Sequence, residues 1–310
     1  MQYIKEIKDG AHVFGQYLVI NANKGVTNTS VSYLNVTLQD NTGTIEGRKW
    51  DASENDFLNF APGNIVEIDA DAILYKNILQ LKILSGSSLN SDSIDVSRFV
   101  VASPVPQKDL EAKLAQYINS IKNVDCSLIV KTIVKKYYKD YIVFPAATRN
   151  HHDFACGLLF HTLSMADLAE LISQHYPDVN RDLLLSGVLL HDLGKTLELS
   201  GPVIPKYTTR GKLVGHISIM HAILVEEVDK LNIKSEIPVL LEHMILSHHG
   251  QYEFGSPVLP LTKEALLLSM IDDMDAKVNI LDKALSITEP GDFTQKIFAL
   301  DDRYFYKPQE

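Results

Sequence analysis

Hydrophobic and polar positions follow two different periods along the chain, and the change falls near Lys108. Before it the two kinds of residue alternate. Over Ser32–Gln39, Leu34, Val36 and Leu38 share one parity while Tyr33, Asn35 and Thr37 share the other. That period predicts a strand with one buried face. Asp40-Asn41-Thr42-Gly43 supplies turn residues, and Thr44–Trp50 reads as the next strand. Tyr17–Ile20 is a short strand ahead of both. Asp51–Phe60 reads as a short helix capped by Asp51 or Ser53 and broken by Pro62-Gly63. Ile65–Ala72 and Ile78–Leu84 are two further strands, joined by a turn near Tyr75-Lys76-Asn77.

Five short strands with one helix between the third and fourth are the layout of an OB-fold barrel. Residues 1–85 are assigned to it. Residues 86–107 turn to Ser, Gly, Asn and Pro and read as a linker. From residue 108 the apolar positions recur at helical spacing: Leu110, Leu114, Tyr117, Ile118, Ile121. Similar patterns cover Ser127–Tyr138, Ala155–His175, Arg181–His191, Ile217–Leu231, Ile237–His249 and Thr262–Leu285. The expected fold is therefore multidomain α and β: a five-stranded barrel followed by an all-α domain over residues 108–310.

Composition agrees. A chain of 310 residues, 45% hydrophobic, suits two domains with proper cores. The first ten residues mix Lys, Glu and Asp and lack the apolar core of a secretory signal. The longest apolar stretches, such as Leu183–Leu190, fall far short of a membrane span. A soluble, cytoplasmic protein without a membrane partner is expected. Cys126 and Cys156 lack a C-x-x-C spacing and read as buried free thiols. A formal net charge of −10 argues against coating duplex DNA through bulk positive charge. It leaves room for a locally basic groove, and for bound divalent cations that offset carboxylates.

The chain has 11 histidines, most of them between His151 and His249. His191 and Asp192 are adjacent at the end of an apolar helix, in Leu189-Leu190-His191-Asp192-Leu193-Gly194-Lys195, where Gly194 could stop the helix. Neighbours on a helix point about 100° apart, so such a pair can flank one metal or a metal pair. His161 sits inside an otherwise apolar helix and, taken alone, would read as a hydrogen-bonded core histidine. His216 follows Gly215, His248-His249-Gly250 closes a further helix, and Asp272-Asp273 interrupts an apolar run where carboxylates are costly without partners. Five separate helices thus each bring a His or Asp to an apolar face. Imidazole with carboxylate, and no thiolate, suits Mn²⁺, Fe²⁺, Zn²⁺ or Mg²⁺ and disfavours a structural zinc. His221, five residues after His216, falls on another helix face and reads as structural. His243 and His175 read as surface or helix-end residues, and His12 belongs to the barrel.

The order His161, His191-Asp192, His216, His248-His249, Asp272 resembles the HD-domain phosphohydrolases, specifically those with a two-metal site. The resemblance implies that His161, His191, Asp192 and Asp272 hold one metal and that Asp192, His216 and His248 hold the second. His249 is either a ligand or a support for one. Asp272 is preferred to Asp273 because the family's last ligand stands three residues before an Asp-Ala pair, here Asp275-Ala276. Asp192 is then catalytic as well as ligating. Lys195, one turn past it, either supplies charge to a phosphate oxygen or is a solvated helix-end lysine.

Longer stretches are similar to the YhaM-type 3′→5′ exoribonucleases: Phe144-Pro145-Ala146-Ala147 leading to Asn150-His151-His152, Gly157–Ser164, His191–Lys195, Tyr207–Leu213 running into Gly215-His216-Ile217, Leu246–Gly250, and Leu34–Trp50 in the barrel. Arg210 and Cys156 depart from the residue types expected at their places, and neither is an implied ligand. This resemblance implies removal of nucleotides from RNA 3′ ends, a preference for Mn²⁺ (with Fe²⁺, Mg²⁺ and Zn²⁺ as alternatives), and action on single-stranded DNA. On the barrel, Tyr33, Arg48 and Trp50 are candidates for stacking and phosphate contact, with Lys49 and Lys76 nearby in sequence. Arg149, with Asn150 and His152, precedes the first ligand helix and is a candidate contact to the strand. Two other readings stay open at this point: a phosphodiesterase of small or cyclic nucleotides, and a non-catalytic single-strand-binding factor. A homo-oligomer is compatible with all three.

Overall fold

The computed structural model describes residues 2–27, 30–75, 78–89, 98–99, 103–146, 154–202 and 205–309. Its contacts divide into two units, Met1–Ala102 and Ser103–Glu310.

In the first unit the strands are β1 (His12–Val26), β2 (Ser32–Asp40), β3 (Gly43–Trp50), β4 (Ile65–Tyr75) and β5 (Ile78–Ser88). They close a barrel in the order β1-β2-β3-β5-β4, with β3 parallel to β5 and the other neighbours antiparallel. That order, with helix α1 (Glu54–Asn59) between β3 and β4, is the OB-fold layout. Closure depends on β1. Its first half, His12–Leu18, pairs with β4, its second half, Leu18–Val26, pairs with β2, and a register shift separates Val19 from Asn21. A bulge of this kind bends one strand enough to serve both edges.

β1 is far longer than the Tyr17–Ile20 segment expected from alternation. Its outer residues Asn21 to Val26 are exposed or half-buried, so backbone pairing with β2 holds them, not a buried face. Val13, Tyr17, Val19, Leu34, Val36, Leu38, Ile68, Leu81 and Ile83 fill the interior, and Phe60 plugs one end. Ser53, not Asp51, caps α1, in a reciprocal box with Asp56. β5 runs to Ser88. Within the segment read as linker, Arg98 and Phe99 lie on the barrel unit: Asn41 N donates to the Arg98 carbonyl at 2.9 Å, and Gln39 Nε2 to the Phe99 carbonyl at 3.0 Å.

The second unit is helical: α2 (Gln107–Ser120), α3 (Val124–Tyr141), α4 (Gly157–His175), α5 (Arg181–Leu190), α6 (Lys195–Glu198), α7 (Thr209–Leu231), α8 (Ile237–Ser247) and α9 (Lys263–Ser286). α5 is the central rod. Leu183 to Leu190 are all buried, and it packs against α3, α4, α8 and α9. A helix apolar on every side is stable only in such surroundings. α7 begins at Thr209, earlier than its periodicity indicated, because the exposed Leu213 and Val214 give its first turns no apolar face. After α9 the chain leaves the helical pattern. Thr288-Glu289-Pro290-Gly291 breaks it, and the remainder is held by isolated bridges Phe293–Tyr306 and Ile297–Arg303. Cys126 and Cys156 are buried free thiols. Among the described residues no helix is long and apolar enough to cross a membrane.

Phe60 is fully buried in the barrel core. Phe60→Ala is expected to cost about 3–5 kcal/mol of barrel stability. Denaturant unfolding followed through the sole tryptophan, Trp50, reads that unit selectively.

Candidate metal centre

The helix termini set the geometry. α5 ends at Leu190 and α8 at Ser247, and the next residue of each, His191 and His248, keeps right-handed helical angles. The last carbonyls of a helix lack partners. Here the imidazoles supply them: His191 Nδ1 donates to the Val188 carbonyl at 2.8 Å, and His248 Nδ1 to the Ile245 carbonyl at 2.7 Å. His249 Nδ1 donates likewise to the Phe254 carbonyl at 2.7 Å. A carbonyl only accepts, so Nδ1 carries the proton in all three rings. Each neutral ring is then left with a bare lone pair on Nε2.

Carboxylates hold the other two rings. His161 Nδ1 lies 2.7 Å from Asp275 Oδ2, which also takes the Ser164 hydroxyl through its other oxygen. His216 Nδ1 lies 3.2 Å from Glu198 Oε1, and the His216 backbone N–H donates to the same oxygen at 3.0 Å. That second bond depends on a break in α7. Gly215 has φ +75° and ψ 154° inside the helix, a conformation that favours glycine, and the break leaves the N–H of His216 available to Glu198. Gly194 does not act as the helix stop expected of it. It stays right-handed, and its need is steric: a Cβ there would lie 2.3 Å from the His216 carbonyl oxygen.

Four of the five imidazoles surround Asp192. Its Oδ2 lies 3.4 Å from His191 Nε2 and 3.8 Å from His161 Nε2. Its Oδ1 lies 3.5 Å from His216 Nε2 and 3.8 Å from His248 Nε2. Asp272 Oδ1 completes the first side, 3.2 Å from His161 Nε2 and 4.0 Å from His191 Nε2. The donor atoms fall into two groups, His161-His191-Asp192 and His216-His248-His249, each within 4.8 Å. The rings of His191 and His248 link the groups, 5.1 Å apart at their centroids.

This set fits divalent cations. His191 Nε2, His216 Nε2, His248 Nε2 and Asp192 Oδ1 are buried and make no hydrogen bond. Leaving such an atom unsatisfied costs about 1–3 kcal/mol, so four of them together would approach the whole stability of a domain. Bare nitrogen lone pairs facing carboxylate oxygens also repel one another unless positive charge lies between them. Hydrogen-bonding the outer ring nitrogen to a carbonyl or carboxylate is the usual support of a ligating histidine.

Electrostatics follow from the same packing. Burial opposes ionisation of Asp192, but Lys195 and the imidazoles of His191 and His216 hold its carboxyl well below the usual range. Burial, His249 and His191 push His248 well below the ordinary imidazole value, so it is neutral. Burial lowers the His161 pKa, yet Asp272 and Asp275 outweigh it and raise it to about 9. That proton is the one a cation would displace. Lys195 Nζ reaches Asp192 Oδ2 at 2.6 Å; it is an interior partner of Asp192, not a solvated helix-end lysine.

Asp273 faces away, exposed and paired with Lys277. His221 points elsewhere, to Glu242 at 3.0 Å. Glu198 and Asp275 were not singled out as functional from sequence, though each carried a signal. Asp275 follows Asp272 by three residues, on one face of α9. Glu198 is an acid between Leu197 and Leu199 and is buried.

On the barrel, Tyr33 and Trp50 are cross-strand partners with ring centroids 5.3 Å apart. The Arg48 guanidinium lies 5.2 Å from the Tyr33 ring centroid and 5.0 Å from that of Trp50. These three form one outward cluster. Lys49 has the opposite parity and bonds to the Leu84 carbonyl. Arg149, Asn150, His152 and Lys76 lie outside the described residues.

Asp275→Asn is expected to weaken Mn²⁺ binding about 10–100-fold, while Asp273→Asn leaves it unchanged. Titration calorimetry on the two variants separates them.

A family model described as "HD domain" matches residues 158–277. The chain is 43% identical over 295 residues, 94% of each protein, to 3′-5′ exoribonuclease YhaM of Bacillus subtilis (strain 168). It is also 43% identical over 294 residues, again 94% of each, to the protein of the same name from Bacillus licheniformis. Among solved structures, the second OB-fold domain of replication protein A from Methanococcus maripaludis aligns with 30% of this chain and 98% of its own, at 17% identity and a TM-score of 0.25. With this identity to both Bacillus proteins over nearly their whole lengths, the chain belongs to the YhaM family of 3′-5′ exoribonucleases, and its helical unit carries the HD domain.

Proposed function

We propose that this chain shortens single-stranded RNA from the 3′ end by metal-dependent phosphodiester hydrolysis, releasing nucleoside 5′-monophosphates. One observation carries the reading. Imidazole Nε2 atoms of five histidines and the carboxylates of Asp192 and Asp272 meet in a buried cluster, in a chain whose relatives are named 3′-5′ exoribonucleases.

His161, His191, Asp192 and Asp272 would hold one divalent ion. Asp192, His216 and His248, with His249, would hold a second. The placement of the two Asp192 oxygens toward different histidine groups supports a bridging role for this carboxylate. Mn²⁺ is taken as the metal from the family resemblance; the imidazole and carboxylate donors suit it along with Fe²⁺, Zn²⁺ and Mg²⁺. Bound divalent ions supply charge to the scissile phosphoryl oxygens and acidify water at neutral pH.

The protein's own part is orientation. Asp275 and Glu198 fix two rings, backbone carbonyls fix three, and Lys195 holds Asp192 while placing an ammonium beside the reacting phosphate. The Tyr33-Arg48-Trp50 cluster on the barrel offers flat faces and one positive charge, the chemistry that single strands stack on irrespective of sequence. Single-stranded DNA shares those features and is a second substrate on this reading.

With Mn²⁺ and 5′-labelled RNA, the wild type is expected to give a ladder that shortens from the 3′ end and vanishes on chelation. His191→Ala and Lys195→Ala are each expected to lose about a hundred-fold or more in kcat. Full activity in His191→Ala would refute the site. On the barrel, an oligonucleotide should quench Trp50 fluorescence. Tyr33→Ala should weaken that binding about 5- to 100-fold, from the known range of base stacking on aromatics.

A further inference from the structure

The connection from α6 into α7 carries an unusual charge distribution. No acidic residue occurs between Glu198 and Glu226, while Lys206, Arg210 and Lys212 fall within seven positions of one another. All three are exposed. Their side chains make no hydrogen bond or ion pair among the described residues. Lys136, Lys230 and Lys277 of this unit, by contrast, are neutralised: Lys136 by Glu226 and Glu227, Lys230 by the same pair, Lys277 by Asp273. In a chain of net charge −10, three unpaired cations on one short segment mark a local positive field, of the kind that attracts polyanions.

The segment is fastened to the metal centre. Thr208 N donates to the Glu198 carbonyl at 2.9 Å, and the Thr208 hydroxyl to the Leu197 carbonyl at 3.0 Å. Gly211 packs so closely that a Cβ would lie 2.2 Å from the Glu198 oxygen. The Glu198 side chain meanwhile holds His216. One residue therefore pins both the basic segment and a candidate ligand. Lys212 precedes His216 by four positions, so their Cα atoms lie within about 14 Å even for fully extended chain.

We propose that Lys206, Arg210 and Lys212 bind backbone phosphates of the RNA strand adjacent to the bond being cut. This rests on the exoribonuclease reading above and adds the path of the strand to it. The contacts are electrostatic and sequence-independent, as suits an enzyme that removes one nucleotide after another. No base is read there; each cation meets a phosphate as the strand advances.

Counterion release gives the test. Each phosphate neutralised on a single strand contributes about 0.7 to the slope of log affinity against log salt. KM for a long unstructured RNA is measured over a KCl series with Mn²⁺, for the wild type and for the triple variant Lys206→Gln, Arg210→Gln, Lys212→Gln. The variant's slope is expected to be shallower by about 2. For a dinucleotide, which has a single phosphodiester, the two proteins are expected to share one slope. The double variant Lys206→Arg, Lys212→Arg is expected to keep the wild-type slope on RNA. Should the triple variant not fold, the single variants replace it, each expected to lose about 0.7. Equal slopes for wild type and variant on long RNA would overturn the proposal. So would an equal loss of slope on the dinucleotide, which would place the cations at the scissile phosphate instead. A wild type that leaves RNA intact overturns the exoribonuclease reading, and that arm is independent of the variants.

Discussion

The hydrogen bond donated by the outer nitrogen of each site histidine governs the helical unit. Once Nδ1–H is committed to a carbonyl or a carboxylate, the inner nitrogen of His191, His216 and His248 has only a lone pair, and it is directed at Asp192. Three rings fixed in this way cannot satisfy one another, because none has a second proton to give in its neutral form. Everything else in the unit keeps them there. The all-apolar α5 carries His191 and Asp192 into the interior, α4 and α9 bring His161 and Asp272 against them, and the broken α7 turns His216 inward.

Burial sharpens the effect. A carboxylate removed from water is costly unless it is paired, and Asp192 has one ammonium, Lys195, on one oxygen. Its other oxygen faces imidazole lone pairs. The cluster is therefore short of positive charge in proportion to its depth. That imbalance, more than any single distance, distinguishes it from an ordinary buried ion pair, in which donors and acceptors match. The barrel presents the opposite case. Tyr33, Arg48 and Trp50 lie on the outer face of β2 and β3 and are supported by Asn35, which accepts from Arg48 Nε at 2.7 Å.

Much of this was legible in the sequence, for identifiable reasons. A period of two and a period of 3.6 survive any packing detail, so the strands, most helices and the division between them could be read. The ligand candidates stood out because polar residues at apolar positions are expensive. What escaped depended on other forces. The length of β1 comes from backbone pairing at polar positions. The early start of α7 has no apolar face to announce it. Gly194 reads as a helix stop, yet its constraint is the approach of a carbonyl from another element, which no local pattern encodes. Glu198 and Asp275 were missed because a carboxylate that orients a ring looks, in sequence, like any other acid on a helix.

The rings are not all held by the same kind of partner, and this bears on how such a site can change over evolution. His191, His248 and His249 are oriented by main-chain carbonyls. No side-chain substitution elsewhere can delete those acceptors, so these rings are inherited with the backbone itself. His161 and His216 are oriented by the side chains of Asp275 and Glu198, which a single codon can exchange. Ligand basicity on those two rings is adjustable without moving the backbone, whereas the other three are fixed for as long as the fold lasts.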